Sequence, residues 1–245
     1  MSISVCMLTK NSGRTLHATL ASLSFADEVL ILDTGSTDDT LTIAKSFSNT
    51  KIHSTPFTGF GELRNRAALL AKNDWILALD SDEEVSASLS QEIQSLELDP
   101  DSVYEIDFKN FYNKKRIRGC GWDPESHIRL YNRNAARFSD APVHEGIIGA
   151  PRVIRLHHPI YHTPYLSISD FLSKMQLYSD LFADQYRHKR RASFSKALWH
   201  GFGAFMKSYF LKRGIFLGPE GFIISSYNGM TAFYKYLKLR EANQK

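Results

Sequence analysis

Short apolar runs alternate with amphipathic stretches over the first 80 residues of the chain. The apolar runs predict buried strands, which span residues 3–8, 28–33, 51–54 and 75–79. The spacing of apolar residues between them predicts helices over residues 14–23, 39–47 and 59–72. Strands that alternate with helices in this way predict a parallel sheet with helices packed against it.

The second half of the chain lacks this alternation. A helix over residues 86–98 is expected to begin with a capping box formed by Ser88 and Gln91. Strands without helical crossovers, and therefore antiparallel, are predicted over residues 104–108, 127–132 and 152–156. Residues 114–122 read as a basic loop, and the pattern from residue 167 onward is helical. We therefore expect an α/β domain over residues 1–165 and a helical region over residues 166–245.

Charge distinguishes this C-terminal region from the rest of the chain. The net charge of +4 hides 12 Lys and Arg against 2 acidic residues from residue 185 onward, and 18 against 24 before it. A basic, aromatic tail indicates an anionic partner. Only Cys6 and Cys120 are present, so we expect no disulfide framework and a reducing compartment. No apolar stretch reaches the length of about 18 residues that predicts a membrane-spanning helix.

Acidic residues follow two of the predicted strands. Asp33 ends one strand, and Asp80 and Asp82 come directly after another. Acids at the carboxyl edge of a parallel sheet can accept ribose hydroxyls or bind Mg²⁺ or Mn²⁺. The alternatives are a turn acid for Asp33 and an acidic helix start for Asp80 and Asp82. The chain has neither a phosphate-binding G-x-x-x-x-G-K-[ST] loop nor a G-x-G-x-x-G turn after a strand, which disfavours ATPase and dinucleotide-binding functions.

An ordered series of motifs runs through the chain. Its members are S-V-C-M-L-T-K-N at residues 4–11, A-D-E-V-L-I-L-D-T-G-S-T-D at residues 26–38, Gly59-Phe60-Gly61, Arg64-Asn65, D-W at residues 74–75, D-S-D-E at residues 80–83, Gly121-Trp122, Pro124, Arg129-Leu130 and V-H-E at residues 143–145. This series resembles bacterial family-2 glycosyltransferases of the glycosyltransferase-A fold. More narrowly, it is similar to lipopolysaccharide-core glycosyltransferases that add glucose or a related hexose to the inner core.

The resemblance implies a Rossmann-like mixed sheet, mostly parallel in its N-terminal half, with a C-terminal helical extension. It also implies a set of residues that bind the nucleotide sugar: Thr9, Asn11, Asp33, Arg64, Asp80 and Arg129. Asp33 would receive the base or ribose, and Arg64 would reach the diphosphate. Asp82 would be the direct ligand of Mg²⁺ or Mn²⁺, with Asp80 as a ribose or metal contact. His162 matches a histidine that some members use near the metal, although a structural histidine is the alternative.

Glu145 matches the position of the catalytic base. An inverting transfer needs one carboxylate that takes the proton of the acceptor hydroxyl as its oxygen attacks the anomeric carbon. The metal stabilises the departing nucleoside diphosphate. The alternative for Glu145 is a turn acid paired with an arginine. Arg129 and the basic residues 114–118 are candidates for binding diphosphate or acceptor phosphates, and a solvated basic loop is the alternative for the latter.

The aromatic and basic residues of the tail suit the headgroup layer of an anionic membrane. The alternative is a helical subdomain with a charged outer face. Nucleic-acid binding is disfavoured because no recognition motif accompanies the charge. The predicted protein is a metal-dependent inverting glycosyltransferase that uses a UDP-hexose and a lipopolysaccharide core or related glycolipid acceptor. It would act in the cytoplasm, peripherally on the inner face of the cytoplasmic membrane.

Two other classes of function remain open from the residues. One is a phosphatase of the haloacid dehalogenase type, with Asp80 as nucleophile and Asp82 as acid. Such enzymes place their D-x-D after the first strand, whereas three predicted strands precede it here. The other is a non-catalytic module that binds a nucleotide sugar or a membrane, for which we expect UDP binding without metal dependence and without turnover.

Overall fold

The computed structural model describes residues 2–139, 146–149 and 152–244. The chain divides into two compact units. The first unit contains Met1–Lys109 and Glu125–His162, and the second contains Asn110–Pro124 and Thr163–Lys245. Residues 110–124 therefore group with the C-terminal helices, a grouping that the linear pattern did not predict.

The first unit is built on a mixed sheet. The strands of that sheet in this unit are β1 (Ile3–Thr9), β2 (Glu28–Asp33), β3 (Thr50–Ser54), β4 (Trp75–Asp80), β5 (Glu83–Val85), β6 (Ser102–Tyr112), β8 (Ser126–Asn132), β11 (Arg152–Arg155) and β12 (Ile160–His162). Strands β9 (Arg137–Phe138) and β10 (Ile147–Ile148) form a separate two-stranded sheet. The helices of the first unit are α1 (Leu16–Ala21), α2 (Thr40–Lys45), α3 (Phe60–Leu70) and α4 (Ala87–Ser95). The last three residues of β6 belong to the second unit, as does β7 (Lys115–Arg116), which pairs with them.

The order of the hydrogen-bonded strands is β3-β2-β1-β4-β8-β6-β12-β5. Strands β1 to β4 are parallel, as predicted. Thr9 is opposite Asp33 on β2, and Leu8 is opposite Asp80 on β4. The register thus brings the acidic ends of β2 and β4 to the same edge of the sheet, on either side of β1.

The central strands are buried on both faces. Val5 and Met7 of β1 belong to one hydrophobic cluster, and the intervening Cys6 belongs to the cluster on the opposite face. Residues that alternate between two cores must all be apolar, which explains why β1 reads as a continuous apolar run rather than as an alternation. Cys6 is a free, buried thiol and serves as a small core residue.

Two predictions for the second half of this unit are wrong in detail. The strand β8 is antiparallel to β4 and β6, as expected, but β11 pairs parallel to β6. The helix α4 begins two residues earlier than a capping box at Ser88 requires, because the side chain of Ser86 accepts the Leu89 N–H and Ser88 lies inside the helix. The mixed α/β class with a C-terminal helical extension is confirmed.

The second unit contains the helices α5 (Ile168–Tyr186), α6 (Phe194–Met206) and α7 (Pro219–Ala242). A π-helical turn (Lys207–Leu211) continues α6, and a 3₁₀ turn (Gly214–Leu217) precedes α7. The aromatic residues of α5 are only partly buried: Phe171 is in the core, whereas Tyr178 is exposed. No helix in the described part of the chain is long and apolar enough to cross a membrane.

Candidate active site

Two loops meet where β1 and β2 end. The Thr9 hydroxyl donates a hydrogen bond to Asp33 (2.8 Å), which ties the two strand ends together. Asn11 has a positive φ of 52°, and its side-chain oxygen accepts the Thr37 N–H at 2.8 Å. The Asn11 N–H in turn donates to the Ser36 hydroxyl at 2.9 Å. Three of these side chains, Thr9, Asn11 and Asp33, are predicted pocket residues, and the fold brings them together.

Asp33 is buried and holds the loop that follows β2. Its carboxylate accepts the Thr9 hydroxyl, the Gly35 N–H (3.0 Å), the Ser36 N–H (2.9 Å) and the Ser36 hydroxyl (2.5 Å). Burial raises the pKa of Asp33, but these hydrogen bonds outweigh burial, so the pKa lies below its ordinary value. Four donors occupy the acceptor positions of one carboxylate. Asp33 therefore positions the loop, and direct contact with a base or ribose stays a prediction.

Asp80, the last residue of β4, lies between two arginines. Arg64 from α3 donates to one carboxylate oxygen at 2.7 Å, and Arg129 from β8 donates to the other at 3.3 Å. Burial would raise the pKa of Asp80, but the charges of Arg64 and Arg129 outweigh it and hold the pKa well below its ordinary range. A cation bound at Asp80 would face two guanidinium groups. The surroundings therefore favour Asp80 as an anchor for the arginines, and its role as a metal ligand stays a prediction.

Glu83 completes this network, although the sequence assigned it no role. It is almost fully buried, forms an ion pair with Arg129, and accepts the Asp80 N–H at 2.9 Å. Burial raises the pKa of Glu83 even though Arg129 lowers it. The guanidinium of Arg129 also lies 5.2 Å from the ring centroid of Phe108. Arg129 thus holds the turn after β4 in place through its contacts with Asp80 and Glu83.

Asp82 and His162 form a second pair on the same turn. Strand β12 pairs antiparallel with β5, so that His162 is opposite Glu83. This register puts His162 Nε2 3.7 Å from Asp82 Oδ1. Burial would lower the pKa of His162, but the nearby Asp82 carboxylate and the charges of Glu83 and Asp80 raise it above its ordinary value. Both side chains are partly exposed, at 25% for Asp82 and 20% for His162.

This pair fits a divalent cation that also binds a ligand. Two atoms that each lie about 2.1 Å from one ion are at most about 4.2 Å apart, so Asp82 and His162 can bind a shared ion. Within the described residues no group of three or more His, Cys, Asp or Glu is arranged to hold a metal. Mg²⁺ in phosphate-transfer sites commonly takes only one or two carboxylates and fills its other positions with water and substrate phosphates. The chemistry of the two donors fits that kind of site.

Glu145, the predicted base, lies outside the described residues. The strands on either side of its segment are described: β9 and β10 pair with each other, and the Ser139 N–H donates to the Gly146 carbonyl at 2.8 Å. Asn65 of α3 holds β9 through two hydrogen bonds with the backbone of Phe138, at 2.8 and 2.9 Å. The helix that supplies Arg64 therefore also fixes the start of the segment that contains Glu145. Asn65 was part of a motif, but only the fold reveals its contact.

Comparison with known proteins identifies the family. The model described as glycosyl transferase family 2 matches residues 4–152, which is more than half of the chain. The chain belongs to glycosyltransferase family 2. Membership in this family decides against the phosphatase alternative. It agrees with the position of the D-x-D motif at the end of the fourth strand along the chain.

Curated relatives are similar over nearly the whole length of this family-2 chain. An uncharacterised glycosyltransferase of Rickettsia bellii is 28% identical over 98% of this chain and 86% of its own length. The lipopolysaccharide core biosynthesis glycosyltransferase LpsC of Rhizobium meliloti is 25% identical over 97% of this chain and 91% of its own. Among solved structures, S. aureus TarS 1–349 in complex with UDP superposes with a TM-score of 0.50. It has 16% identity and covers 100% of this chain and 90% of TarS 1–349, which supports the shared fold.

Proposed function

We propose that this chain transfers a hexose from a nucleotide sugar, in the first instance a UDP-sugar, to a lipopolysaccharide core or related glycolipid. The observation that carries the proposal is the Asp82–His162 pair, with 3.7 Å between Oδ1 and Nε2, just beyond β4 in a family-2 chain. Similarity to LpsC, which is named for lipopolysaccharide core biosynthesis, supports the class of acceptor. We propose that the protein works peripherally on the inner face of the cytoplasmic membrane, where such an acceptor would be embedded.

The donor would lie across the carboxyl edge of β1, β2 and β4, which is where open α/β sheets bind ligands. The loops fixed by Asp33 and Asn11 would receive the nucleoside. The diphosphate would lie near Asp82 and His162, within the field of Arg64 and Arg129. Because Asp80 and Glu83 already pair with these arginines, the residual positive charge there is small. Neutralisation of a diphosphate would therefore depend on a cation at Asp82 and His162.

The chemical step is a single displacement at the anomeric carbon. An acceptor hydroxyl oxygen attacks that carbon as Glu145 takes the hydroxyl proton, and the bond to the diphosphate oxygen breaks on the opposite face. The electron pair of that bond leaves with the nucleoside diphosphate, so the sugar is transferred with inversion. Mg²⁺ or Mn²⁺, when bound, supplies charge neutralisation for the leaving group. Asp82 and His162 would hold it, and Arg129 would keep their turn in place.

The experiment is a transfer assay with purified protein, a panel of UDP-hexoses and a truncated lipopolysaccharide core, with the product measured by mass spectrometry. Glu145→Gln keeps the size of the side chain but removes the base, so we expect a loss of about 10²- to 10⁴-fold in the rate. Glu97→Gln, an exposed position on the same unit, is the matched control. Full activity of Glu145→Gln would overturn its role as base.

The anomeric configuration of the product tests the mechanism separately. Nuclear magnetic resonance of the product should give the configuration opposite to that of the donor. Retention would contradict a single displacement. Binding of UDP with no turnover for any sugar, at any metal concentration, would instead support the non-catalytic alternative.

A further inference from the structure

The outer face of α6 is apolar and exposed. Five large side chains spaced four residues apart form one continuous ridge along α6 and the π-helical turn: Phe194, Leu198, Phe202, Met206 and Phe210. Trp199 beside this ridge is 73% exposed. The exposed face of a helix in a water-soluble protein normally carries charged and polar residues. The outer face of α6 has the opposite polarity.

Small residues occupy the inner face. Ala197 and Gly201 are buried, and Gly201 packs against α7. A Cβ added to Gly201 would lie 2.9 Å from the Cβ of Phe233, so glycine allows the two backbones to approach closely. Small residues between helices, with large apolar residues pointing away from the contact, are the arrangement that helices adopt against lipid. The ring of Phe194 contacts Phe233 of α7, whereas Leu198, Phe202, Met206 and Phe210 stay exposed.

Positive charge lies at the end of this ridge rather than on it. Lys196 is the one charged residue of α6, and its ammonium lies 5.3 Å from the ring centroid of Tyr236. Lys207, Lys212 and Arg213, which we call the basic turn, form no ion pair with any residue in the described part of the chain. A cavity of about 290 Å³ lies here, and Lys207 and Lys212 both line it.

More exposed apolar side chains flank the basic turn. Leu211 is 80% exposed and Phe216, on the 3₁₀ turn, is 81% exposed. Apolar side chains next to the cations of the basic turn match the boundary between the hydrocarbon and the phosphates of a bilayer. The cavity is large enough for a phosphate group, and its lysines provide the charge that would bind one.

We propose that the outer face of α6 and the basic turn form a docking surface for an anionic lipid bilayer. The 13 residues of α6 are about 20 Å long, which is shorter than the hydrocarbon core of about 30 Å. The helix would lie in the plane of the interface, with its ridge in the acyl region and the basic turn at the phosphates. The inference deepens the proposed function and rests on it for its purpose, since a lipid-linked acceptor requires access to a membrane.

The direct test is flotation of the full chain with vesicles, in the absence of donor and acceptor. Vesicles of phosphatidylcholine alone are compared with vesicles that also contain phosphatidylglycerol. We expect binding to the anionic vesicles to be at least tenfold stronger and to weaken as salt is raised. Equal binding to both, or no binding to either, would overturn the proposal.

The apolar part of the surface is tested by Phe202→Ser combined with Phe210→Ser. Loss of two inserted side chains should weaken vesicle binding about tenfold or more. Leu69→Ser with Leu70→Ser is the matched control, because these side chains are also exposed but lie on α3. The control should bind like the wild type. A wild-type affinity for the Phe202 and Phe210 variant, with its fold confirmed by circular dichroism, would contradict the assignment.

The basic turn is tested by Lys207→Gln with Lys212→Gln. Each lysine near an anionic surface strengthens binding, so loss of both should weaken the affinity for anionic vesicles roughly tenfold or more. Lys45→Gln with Lys72→Gln removes the same charge from exposed positions of the other unit and should change binding by less than about twofold. Equal losses in both variants would mean that net charge, and not this surface, drives binding.

Two further measurements separate this proposal from its alternatives. The emission of Trp199 should shift to shorter wavelength on addition of anionic vesicles, and Trp199→Phe should remove that shift. All of these variants should transfer hexose to a water-soluble core oligosaccharide at the wild-type rate, so failure of docking is distinguishable from failure of the proposed function. If the protein does not bind vesicles but forms a stable dimer that Phe202→Ser dissociates, the ridge would instead be an interface with a second copy of this chain.

Discussion

The turns after β2 and β4 begin alike in sequence and differ in structure. Both follow a buried apolar strand and start with an aspartate, Asp33 in one and Asp80 in the other. Asp33 is surrounded by hydroxyls and backbone N–H groups of its own and the neighbouring loop, whereas Asp80 is surrounded by arginines from α3 and β8. The first turn is held by hydrogen bonds from neutral groups, and the second by charge pairs with arginines. In the second turn, the carboxylate of Asp82 lies next to the imidazole of His162.

The largest effect on stability should come from the arginine that holds the second turn. Arg129→Met would leave Glu83 buried without its partner, and we expect a loss of about 3–5 kcal/mol in the free energy of unfolding. Urea denaturation measures it. Arg152→Met is the control, because its ion pair with Asp99 is exposed and should contribute less than about 1 kcal/mol. If Glu83→Gln does not restore part of the loss in the Arg129→Met background, the lost charge pair is not the cause.

Asp82→Asn should separate function from stability. Losing a metal ligand at the leaving group should lower the transfer rate at least about a hundredfold. The melting temperature should change little, because Asp82 is partly exposed and its ion pair with His162 spans 3.7 Å. Asp101→Asn, at an exposed position, is the control and should leave both unchanged. A large drop in melting temperature would mean that Asp82 is structural, as Asp33 is.

Asp33→Ala should mainly lower stability, whereas Asp82→Asn should mainly lower the transfer rate. Removing the carboxylate leaves the Gly35 and Ser36 N–H groups without an acceptor, so we expect a loss of about 1–3 kcal/mol in the free energy of unfolding. Asp39→Ala, whose side chain does not cap its helix, serves as the control. Loss of activity with unchanged stability would show that Asp33 contacts substrate and is not mainly a positioning residue.

The smallest effect is the pH dependence that Asp33 contributes. Its pKa is lowered in the folded protein, so the stability it adds is complete above the ordinary pKa of about 3.9 and is lost as the pH falls through the folded value. Asp33→Asn mimics the protonated side chain, so its deficit relative to the wild type should shrink as the pH falls below about 4. Unfolding curves of both proteins over this range measure it. A deficit that stays constant with pH would contradict the assignment.

The contrast between the two turns also explains which features could be predicted from the sequence and which could not. The strands of the parallel half were predictable because a strand buried on both faces must be apolar throughout, and their ends identified Asp33, Asp80 and Asp82. The role of Glu83 was not predictable, since its partner Arg129 lies 46 residues away and only the sheet order brings them together. The parallel pairing of β11 with β6 was not predictable for the same reason, because alternation of apolar and polar residues predicts a strand but not the strand with which it pairs.

The second unit shows a different limit. Helical spacing predicted a helical region over residues 166–245, and aromatic residues at that spacing are usually core residues. Ala197 and Gly201 take the buried side of α6 instead, because close contact with α7 requires small residues. Composition therefore identified an unusual tail, but only packing distinguishes its inner face from its outer face.

The central claim is that the turn after β4 binds a cation together with a nucleoside diphosphate. Isothermal titration of UDP into the protein, with and without Mn²⁺, tests this claim most directly. The account predicts that Mn²⁺ strengthens UDP binding to the wild type and to Asp101→Asn, and that Asp82→Asn loses this dependence while remaining folded. UDP binding that is equally dependent on Mn²⁺ in Asp82→Asn, or independent of Mn²⁺ in the wild type, would contradict it.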